Sequence, residues 1–403
     1  MLSSYKNMPK EVNYLVYAAF LPSVAYGMFY TDISFFLTTI QGVSIGIMGL
    51  AITLMGVSTF IASVFLGTVA DVYGRKKLLI IGNVLASIIL IIFALTTDPI
   101  TLLTAAILEG ISEAAVLVSS NALLADKTED AQRNSAFSMY GFVTSIAFGL
   151  GSIIIYAVKI FELFGLSSKA SHVLLYIVIS IFGLASTLIM LKVSESKRSE
   201  KLRLNFHTLL PRKSKGVLIK YALTGAIIAF GAGMFVPLMT LWFALQYGIS
   251  DAISGLILGI SSILVGVGTL VAPALAKKLG LINAIVVTQL LSTVFMFVTP
   301  FASDFALASI LYSIRALLMN MASPLQQSMI MGLVVTDERG AASGISGALW
   351  RLPNALSTFV GAWLLGLGIL YAPFLAATVF YLVSILLFRI FFGKVKMPEE
   401  KTN

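Results

Sequence analysis

Apolar runs of about 20 residues recur along the whole chain, and they restrict its fold more than any other feature. Each run is long enough to cross a hydrocarbon core of ~30 Å as an α-helix. The pattern predicts an all-α membrane protein with twelve transmembrane helices, at 12–38, 43–69, 77–97, 100–124, 134–158, 170–192, 217–246, 250–276, 281–300, 304–333, 340–367 and 370–393. Charged residues make up 11% of the 403 residues, against ~25% in soluble domains, so the expected surroundings are a lipid bilayer.

Lysine and arginine are distributed unequally between the two sides of this topology. With the N-terminus inside, 23 of the 27 fall in inner segments, Lys159 and Lys169 fall outside, and Arg315 and Arg351 fall within helices. Cations accumulate on the cytoplasmic side of membranes, so both termini are expected to be cytoplasmic. The net charge of +9 therefore reflects topology and does not predict nucleic-acid binding. The polar first ten residues show no cleavable signal peptide, which favours a multi-pass protein of the cell membrane.

Several kinds of chemistry are not expected from this sequence. It has no cysteine, so it has no disulfide framework, thiolate metal site or cysteine nucleophile. It also lacks a G-x-x-x-x-G-K-[ST] loop, which argues against coupling to ATP. No metal-ligand cluster or catalytic constellation is evident, so neither a metal, a cofactor nor an enzyme is predicted. His172 at the outer edge of the sixth helix and His207 further along are expected to have no role.

The chain repeats itself at an offset of 206 residues. Gly27-Met28-Phe29 recurs as Gly233-Met234-Phe235, and the same register maps Gly74 to Gly280 and Asp98 to Asp304. This predicts two pseudo-symmetric six-helix bundles, 1–192 and 217–403, related by an axis along the membrane normal. The segment between them, 193–216, is polar and basic with interspersed leucines. It is either a solvated cytoplasmic linker or a short helix on the anionic inner leaflet.

A charged turn joins the second and third predicted helices, with the sequence Gly67-Thr-Val-Ala-Asp71-Val-Tyr-Gly74-Arg75-Lys76-Lys77. Gly74 permits a positive φ or a close approach, and the cations mark the turn as cytoplasmic. The spacing small-x-x-x-Asp-x-x-Gly-Arg-Lys-Lys, at this place in the helix count, resembles the loop signature of the major facilitator superfamily. The resemblance covers nearly the whole chain.

The resemblance implies a transporter in which two halves alternate around a central cavity bordered by helices 4 and 10. In that family the loop Asp contacts the inner end of helix 11, and the loop Arg pairs with an acid at the inner end of helix 4. Asp71, Arg75 and Asp126 hold the matching positions here. Together with Gly67 and Gly74 they are expected to form a cytoplasmic gate.

Ionisable residues inside predicted membrane helices are costly and usually functional. Glu109 and Glu113 are four residues apart and share one face of the fourth helix. Two carboxylates in a low dielectric repel each other when both are ionised, so the pair is a candidate proton carrier. The offset of 206 maps Glu109 onto Arg315, and Ser120 onto Gln326. We therefore expect Glu109 or Glu113 to face Arg315, either as a pair that responds to protons and substrate or as a static ion pair.

Two further charges lie in predicted helices. Asp32 is a second proton site, a substrate anchor, or a side chain that reaches to the outer interface. Arg351 lies just before Pro353, and it either supports a kink in the eleventh helix or binds an anionic group.

These features favour proton-coupled export of a small organic solute by a monomeric antiporter. The alternative is a proton symporter that imports a sugar, a carboxylate or another nutrient, with Arg315 and Arg351 meeting an anionic group. A non-transporting receptor is disfavoured because the sequence has no sizeable extramembrane domain. The resemblance to drug/proton antiporters is partial. Ala106 stands where they carry Arg, Glu109 stands where Gln is frequent, and Phe148-Gly149-Leu150-Gly151 lacks their helix 5 proline.

Overall fold

The computed structural model describes residues 8–128, 130–195, 214–335 and 339–394, and this part of the chain is helical without strands. Its α-helices are α1 Lys10–Phe35, α2 Ile45–Tyr73, α3 Arg75–Leu95, α4 Pro99–Asp126, α5 Asp130–Ile154, α6 Ala157–Leu163, α7 Ser168–Met190, α8 Lys215–Gly233, α9 Met239–Tyr247, α10 Asp251–Leu279, α11 Leu281–Val298, α12 Phe305–Leu333, α13 Arg339–Gly366 and α14 Ala372–Phe392.

These helices combine into twelve membrane-length segments within the described ranges. A π-helical turn, Phe36–Ile40, extends α1, and a 3-10 turn, Val236–Leu238, joins α8 to α9. A second 3-10 turn, Thr299–Phe301, extends α11, and α6 follows α5 closely. Ten segments are long and apolar enough to cross a membrane when only the described residues are considered. The other two contain α10 and α13, in which several side chains lie outside the description.

The chain divides into two compact units. Unit 1 holds Met1–Leu204 and Ile249–Ser262, and unit 2 holds Asn205–Gly248 and Ile263–Asn403. The first turns of α10 therefore pack with unit 1. A Cβ on Gly255 would lie 2.7 Å from the carbonyl oxygen of Ser152, so glycine allows α10 to approach α5 closely there. Residues 196–213 of the predicted linker lie outside the described part, and the predicted boundaries 1–192, 193–216 and 217–403 stay predictions.

Within each unit the helices pack through small and apolar side chains, as expected for helices in lipid. In unit 1, α1 packs on α5 and α7, while α4 packs on α2 and α3. In unit 2, α8 packs on α13 and α14, and α11 packs on α12. An apolar cluster of unit 1 contains Val12, Leu79, Leu123 and Ala136, and one of unit 2 contains Ile285, Met321, Leu325, Phe388 and Phe392.

The repeat at offset 206 is visible in the helix starts. Gly74 and Gly280 precede α3 and α11 with φ values of 113° and 81°, which L-residues with a Cβ rarely adopt. Asp98 and Asp304 are the N-caps of α4 and α12. Each carboxylate accepts a backbone N–H three residues on, at 2.8 Å and 3.0 Å respectively, as N-cap residues do.

The hydrogen bonds of these caps also lower the pKa of the two capping carboxyl groups, which lie outside the membrane-spanning segments. Hydrogen bonds from the Thr101 side chain and backbone lower the pKa of Asp98. The Leu307 backbone N–H, followed by Ser303, lowers the pKa of Asp304. Both caps are therefore anionic at neutral pH, where they complement the positive ends of their helices.

Two close helix contacts, one between α1 and α5 and one between α8 and α13, are related by the same offset of 206 residues. A Cβ on Gly27 would clash with the backbone of Phe148, and a Cβ on Gly233 would clash with the backbone of Asn354. Gly27 and Gly233 are 206 residues apart, as are Phe148 and Asn354. The first helix of each half thus packs on the fifth helix through a glycine.

Hydroxyl groups reinforce both contacts. Ser152 Oγ donates to the carbonyl oxygen of Gly27 at 3.4 Å, and Thr358 Oγ1 donates to that of Gly233 at 3.0 Å. Ser152 and Thr358 are also related by the offset. The contact between the first and fifth helices therefore has an equivalent hydrogen bond in each half.

Candidate functional site

The α4 helix carries two carboxylates in its middle. Glu109 is buried and Glu113 is half-buried. Tyr26 Oη of α1 donates to Glu113 Oε1 at 3.3 Å, and Thr59 Oγ1 of α2 donates to Glu113 Oε2 at 3.0 Å. Glu113 is therefore held in place by two neighbouring helices.

Glu109 lies one turn earlier and has a different environment. Its Oε2 atom is buried and has no hydrogen-bond partner among the described residues. A Cβ on the adjacent Gly110 would clash with the carbonyl oxygen of Met55, so α4 and α2 are in close contact here. A buried carboxylate oxygen without a hydrogen bond makes the anion costly, and a proton or a cationic ligand would satisfy it.

Three aromatic rings form a group that includes Tyr26, the residue that donates to Glu113. Tyr26 and Tyr30 stack with ring centroids 5.7 Å apart, and Phe148 lies 6.0 Å from Tyr26 and 6.3 Å from Tyr30. Aromatic faces bind apolar groups and attract cations. This group was not predicted from the sequence, although the i, i+4 spacing of Tyr26 and Tyr30 shows that they share a helix face.

Unit 2 contains a buried cation. Arg315 is 4% exposed, and its Nη2 donates to Tyr381 Oη. The guanidinium carbon lies 4.7 Å from the ring centroid of Phe235 and 5.5 Å from that of Tyr381. Its Nε has no hydrogen-bond partner among the described residues, and no carboxylate in the described part of unit 2 pairs with it. The predicted pairing with Glu109 would join two units and stays a prediction.

The other polar residues predicted for the cavity lie on membrane helices. Ser120 is buried and its hydroxyl donates to the carbonyl oxygen of Leu117 at 3.2 Å. Gln326 and Arg351 are half-buried on α12 and α13. The α13 helix continues through Pro353. The two proposed roles of Arg351 remain open.

Asp32 is completely buried, which excludes the alternative that it reaches to the outer interface. His172 and Asp251 lie close by and are also buried. His172 Nε2 is 2.8 Å from Asp251 Oδ2, and one ligand atom from each of the three residues lies within 4.8 Å of the others. His172, which was expected to have no role, thus belongs to a buried cluster that the sequence did not predict. The cluster joins α1, α7 and α10, which are far apart in sequence, so no local spacing revealed it.

The turn between α2 and α3 brings Arg75 and Asp126 together in an ion pair. Gly67 is half-buried near the end of α2. The Asp71 side chain lies outside the described part, so its predicted contact with the eleventh helix stays a prediction.

Glu195 completes this turn and was not predicted. Its two carboxylate oxygens accept the backbone N–H groups of Lys76 and Lys77 at 3.0 Å and 3.4 Å. A Cβ on Gly74 would lie 2.6 Å from Glu195 Oε2, so glycine makes room for the carboxylate. Glu195 thereby caps the N-terminus of α3, where backbone N–H groups lack partners within the helix.

A second group ties the same region to α1. Lys127 Nζ pairs with Glu11 Oε2 at 3.0 Å and donates to Ser194 Oγ at 2.6 Å. The Ser194 backbone N–H donates to Glu11 Oε1 at 2.7 Å. The ends of α1, α4 and α7 are therefore linked by side chains.

We expect Glu195→Ala to destabilise unit 1 by ~1 kcal/mol, because loss of a cap costs about this amount. Glu195→Gln should cost less, since its amide oxygen still accepts a hydrogen bond while the interaction of charge with the helix dipole is lost. Thermal unfolding in detergent measures both. The control is Glu162→Ala, which removes a carboxylate paired with Lys159 on α6 and leaves the cap of α3 in place. Equal midpoints for Glu195→Ala and Glu162→Ala would contradict the capping role.

Comparison with known proteins agrees with this architecture. The family described as Major Facilitator Superfamily matches residues 15–219 and 221–403. The chain is 25% identical over 362 residues to "Multidrug resistance protein 2" of Bacillus subtilis (strain 168), covering 88% of this chain and 87% of the relative.

Two solved transporters share the fold. A bacterial homologue of the human lysosomal transporter Spinster, inward-facing and unoccupied, aligns with a TM-score of 0.78 at 14% identity, over 96% of this chain and 98% of its own. A D-xylose-proton symporter aligns with a TM-score of 0.75 at 16% identity, over 97% and 99%. The predicted all-α fold of twelve transmembrane helices in two six-helix bundles is confirmed. The chain therefore belongs to the Major Facilitator Superfamily and is a membrane transporter of that family.

Proposed function

We propose that this chain exports a small organic solute in exchange for protons. The observation that carries the proposal is the pair of carboxylates on α4, in which Glu109 is buried with an oxygen that has no hydrogen-bond partner among the described residues. The name of the Bacillus subtilis relative, a multidrug resistance protein, supports export.

Exchange follows from competition for one carboxylate. A protonated Glu109 is neutral and tolerates its buried position, whereas the anion needs a compensating positive charge. A cationic solute can supply that charge, so its binding displaces the proton. Return of the proton from the more acidic side then releases the solute, which couples the two movements.

The aromatic group beside Glu113 supports a solute with apolar and cationic parts. Tyr26 donates to the Glu113 carboxylate, stacks with Tyr30 and packs on Phe148. Such surfaces attract organic cations through the ring quadrupole as well as through apolar contact. Within this proposal, the turn from Gly67 through Asp71 and Gly74, with the Arg75–Asp126 pair, acts as the inner gate.

The test uses purified protein in vesicles with an imposed pH gradient. Cationic, neutral and anionic solutes are each loaded on the side from which export would start. We expect a cationic solute to move against its own gradient while protons move in the opposite direction, as followed by a trapped pH indicator. Movement of solute and protons in the same direction would overturn antiport.

A second function, import of an anionic nutrient together with protons, is favoured by Arg315. Its buried guanidinium has ring and hydroxyl partners but no carboxylate partner in the described part of unit 2. A solute carboxylate would supply the missing charge through a bidentate contact. The same vesicle assay separates the two functions, because an anionic solute would then follow the protons.

The proposed orientation places both termini in the cytoplasm of a cell-membrane protein. The chain has no cysteine, so single cysteines can be introduced without background labelling. In intact cells an impermeant thiol reagent should label Lys169→Cys and leave Lys77→Cys unlabelled until the membrane is opened. The unmodified chain is the control, and the opposite pattern would reverse the topology.

A further inference from the structure

The buried cluster of Asp32, His172 and Asp251 has features that the proposed transport mechanism does not use. Their exposed fractions are 0%, 0% and 2%. They come from α1, α7 and the first residue of α10, all parts of unit 1. A chain that buries three titratable groups together in a membrane must compensate their charge.

The hydrogen bonds of His172 define what its second nitrogen can do. Nδ1 lies 2.7 Å from the carbonyl oxygen of Ser168. A carbonyl oxygen only accepts, so Nδ1 carries a hydrogen. In the neutral ring Nε2 then carries a lone pair and no hydrogen, and it lies 2.8 Å from Asp251 Oδ2. Two electron-pair donors this close need a cation between them, which is a proton or a metal ion.

Asp32 shows that one proton on His172 would not be enough. Both of its carboxylate oxygens are buried without a hydrogen-bond partner among the described residues. Two carboxylates and one imidazolium leave one negative charge to balance, which either a second proton or a divalent metal ion in place of the protons can do. Tyr176 Oη is likewise buried without a partner in the described part, and it is neutral. Burying an uncompensated anion is strongly unfavourable.

We propose that Asp32, His172 and Asp251 bind one divalent transition-metal ion of the Zn²⁺ class. One imidazole nitrogen with two carboxylate oxygens is a ligand set that suits zinc and its neighbours, whereas Mg²⁺ and Ca²⁺ prefer oxygen ligands alone. The Nδ1–H bond to the Ser168 carbonyl fixes the ring with Nε2 free to ligate, as at known metal sites.

The geometry requires only a small adjustment. An ion ~2.1 Å from each ligand atom requires these atoms to lie within ~4.2 Å of one another. The observed limit is 4.8 Å, so the ligand atoms would have to approach one another by ~0.6 Å at most. Ring stacking fixes the position of the His172 imidazole. Phe36 packs on His172 with ring centroids 5.4 Å apart and on Tyr176 with ring centroids 4.8 Å apart.

The first test measures binding by the full-length chain. The protein is purified through a tag without histidine, stripped with a chelator and dialysed against Zn²⁺ or Co²⁺. We expect one retained ion per chain by elemental analysis, a visible Co²⁺ absorption band with nitrogen ligation, and a higher unfolding temperature with Zn²⁺. A bound ion raises the unfolding temperature because it binds the folded state.

The variants locate the site. Asp32→Asn and His172→Gln should each weaken Zn²⁺ binding by at least ~10-fold, since even outer-shell changes cost this much. Gln at 172 can still donate to Asp251, so this variant separates metal binding from folding. The matched controls are His207→Ala, which removes the second of the two histidines, and Asp98→Asn, an exposed carboxylate. Both should bind as the unmodified chain does.

Two results would overturn the site. One is an unmodified chain that retains no more Zn²⁺ or Co²⁺ than His172→Gln does. The other is binding that His207→Ala abolishes while Asp32→Asn keeps it. If Asp32→Asn fails to fold, His172→Gln alone decides. None of these readouts depends on transport, so the result is independent of the proposed antiport.

Discussion

Glu109→Gln will abolish accumulation of solute driven by a pH gradient, while solute exchange continues with a higher half-saturating solute concentration. Exchange of one proton for one solute supports about tenfold accumulation per pH unit, since each factor of ten corresponds to ~1.4 kcal/mol. A glutamine at this position cannot exchange a proton, so the accumulation ratio should fall to about one. Counterflow without a pH gradient needs no proton and should continue, but a cationic solute should be needed at a higher concentration because glutamine offers it no negative charge.

Glu113→Gln is expected to behave differently. Glu113 accepts hydrogen bonds from Tyr26 and Thr59, and glutamine can accept only one of them with its single oxygen. Both driven flux and counterflow should therefore decrease. Vesicle assays of both quantities, with Glu162→Gln on α6 as the control, distinguish the two carboxylates. Full driven flux in both α4 variants would exclude them as proton carriers and leave Asp32 as the next candidate.

Gly27→Ala is expected to destabilise the protein by ~3 kcal/mol or more, because overpacking a tight contact typically costs 1–3 kcal/mol and here the new Cβ meets rigid backbone. The Cβ would overlap the backbone of Phe148, which cannot move without displacing α5. Gly233→Ala should have the same effect against Asn354. The measurements are the monodisperse yield from detergent and the thermal unfolding midpoint.

The matched control is Gly141→Ala, because a Cβ there finds open space within 4 Å. Alanine in an exposed helix is favoured over glycine by ~0.5–1 kcal/mol, so this control should be slightly more stable than the unmodified chain. The two substitutions are chemically identical and their expected effects have opposite signs. Equal stability of Gly27→Ala and Gly141→Ala would show that α1 and α5 are not closely packed.

The helices and the repeat could be predicted from sequence because the bilayer imposes them locally. A span must be apolar over a fixed length, and backbone groups in lipid must bond within the helix. The equivalence of Gly74 and Gly280 could also be predicted from the sequence, since the two glycines are related by the offset of 206 residues. The Arg75–Asp126 contact was implied by the resemblance to the family, in which the loop Arg pairs with an acid at the inner end of helix 4.

The site was less predictable because its contacts join distant helices. The Tyr26 hydroxyl reaches Glu113 across 87 positions, and His172 reaches Asp251 across 79. Neither pair has a spacing that a sequence pattern can reveal. The internal repeat predicted only that Glu109 and Arg315 lie at equivalent positions of the two halves. It did not predict their chemistry, since one is a carboxylate and the other a guanidinium. The two halves repeat their backbone contacts and differ in the charges they carry.

The cap on α3 determines where this protein can be divided. Glu195 bonds the first turn of α3, and Ser194 bonds Glu11, so the first half needs its own chain through residue 195. A chain that is to be expressed as two fragments should therefore be divided within 196–213, after the residue that caps α3. A fragment ending at 192 would contain all six helices and still lack the carboxylate that completes the third one.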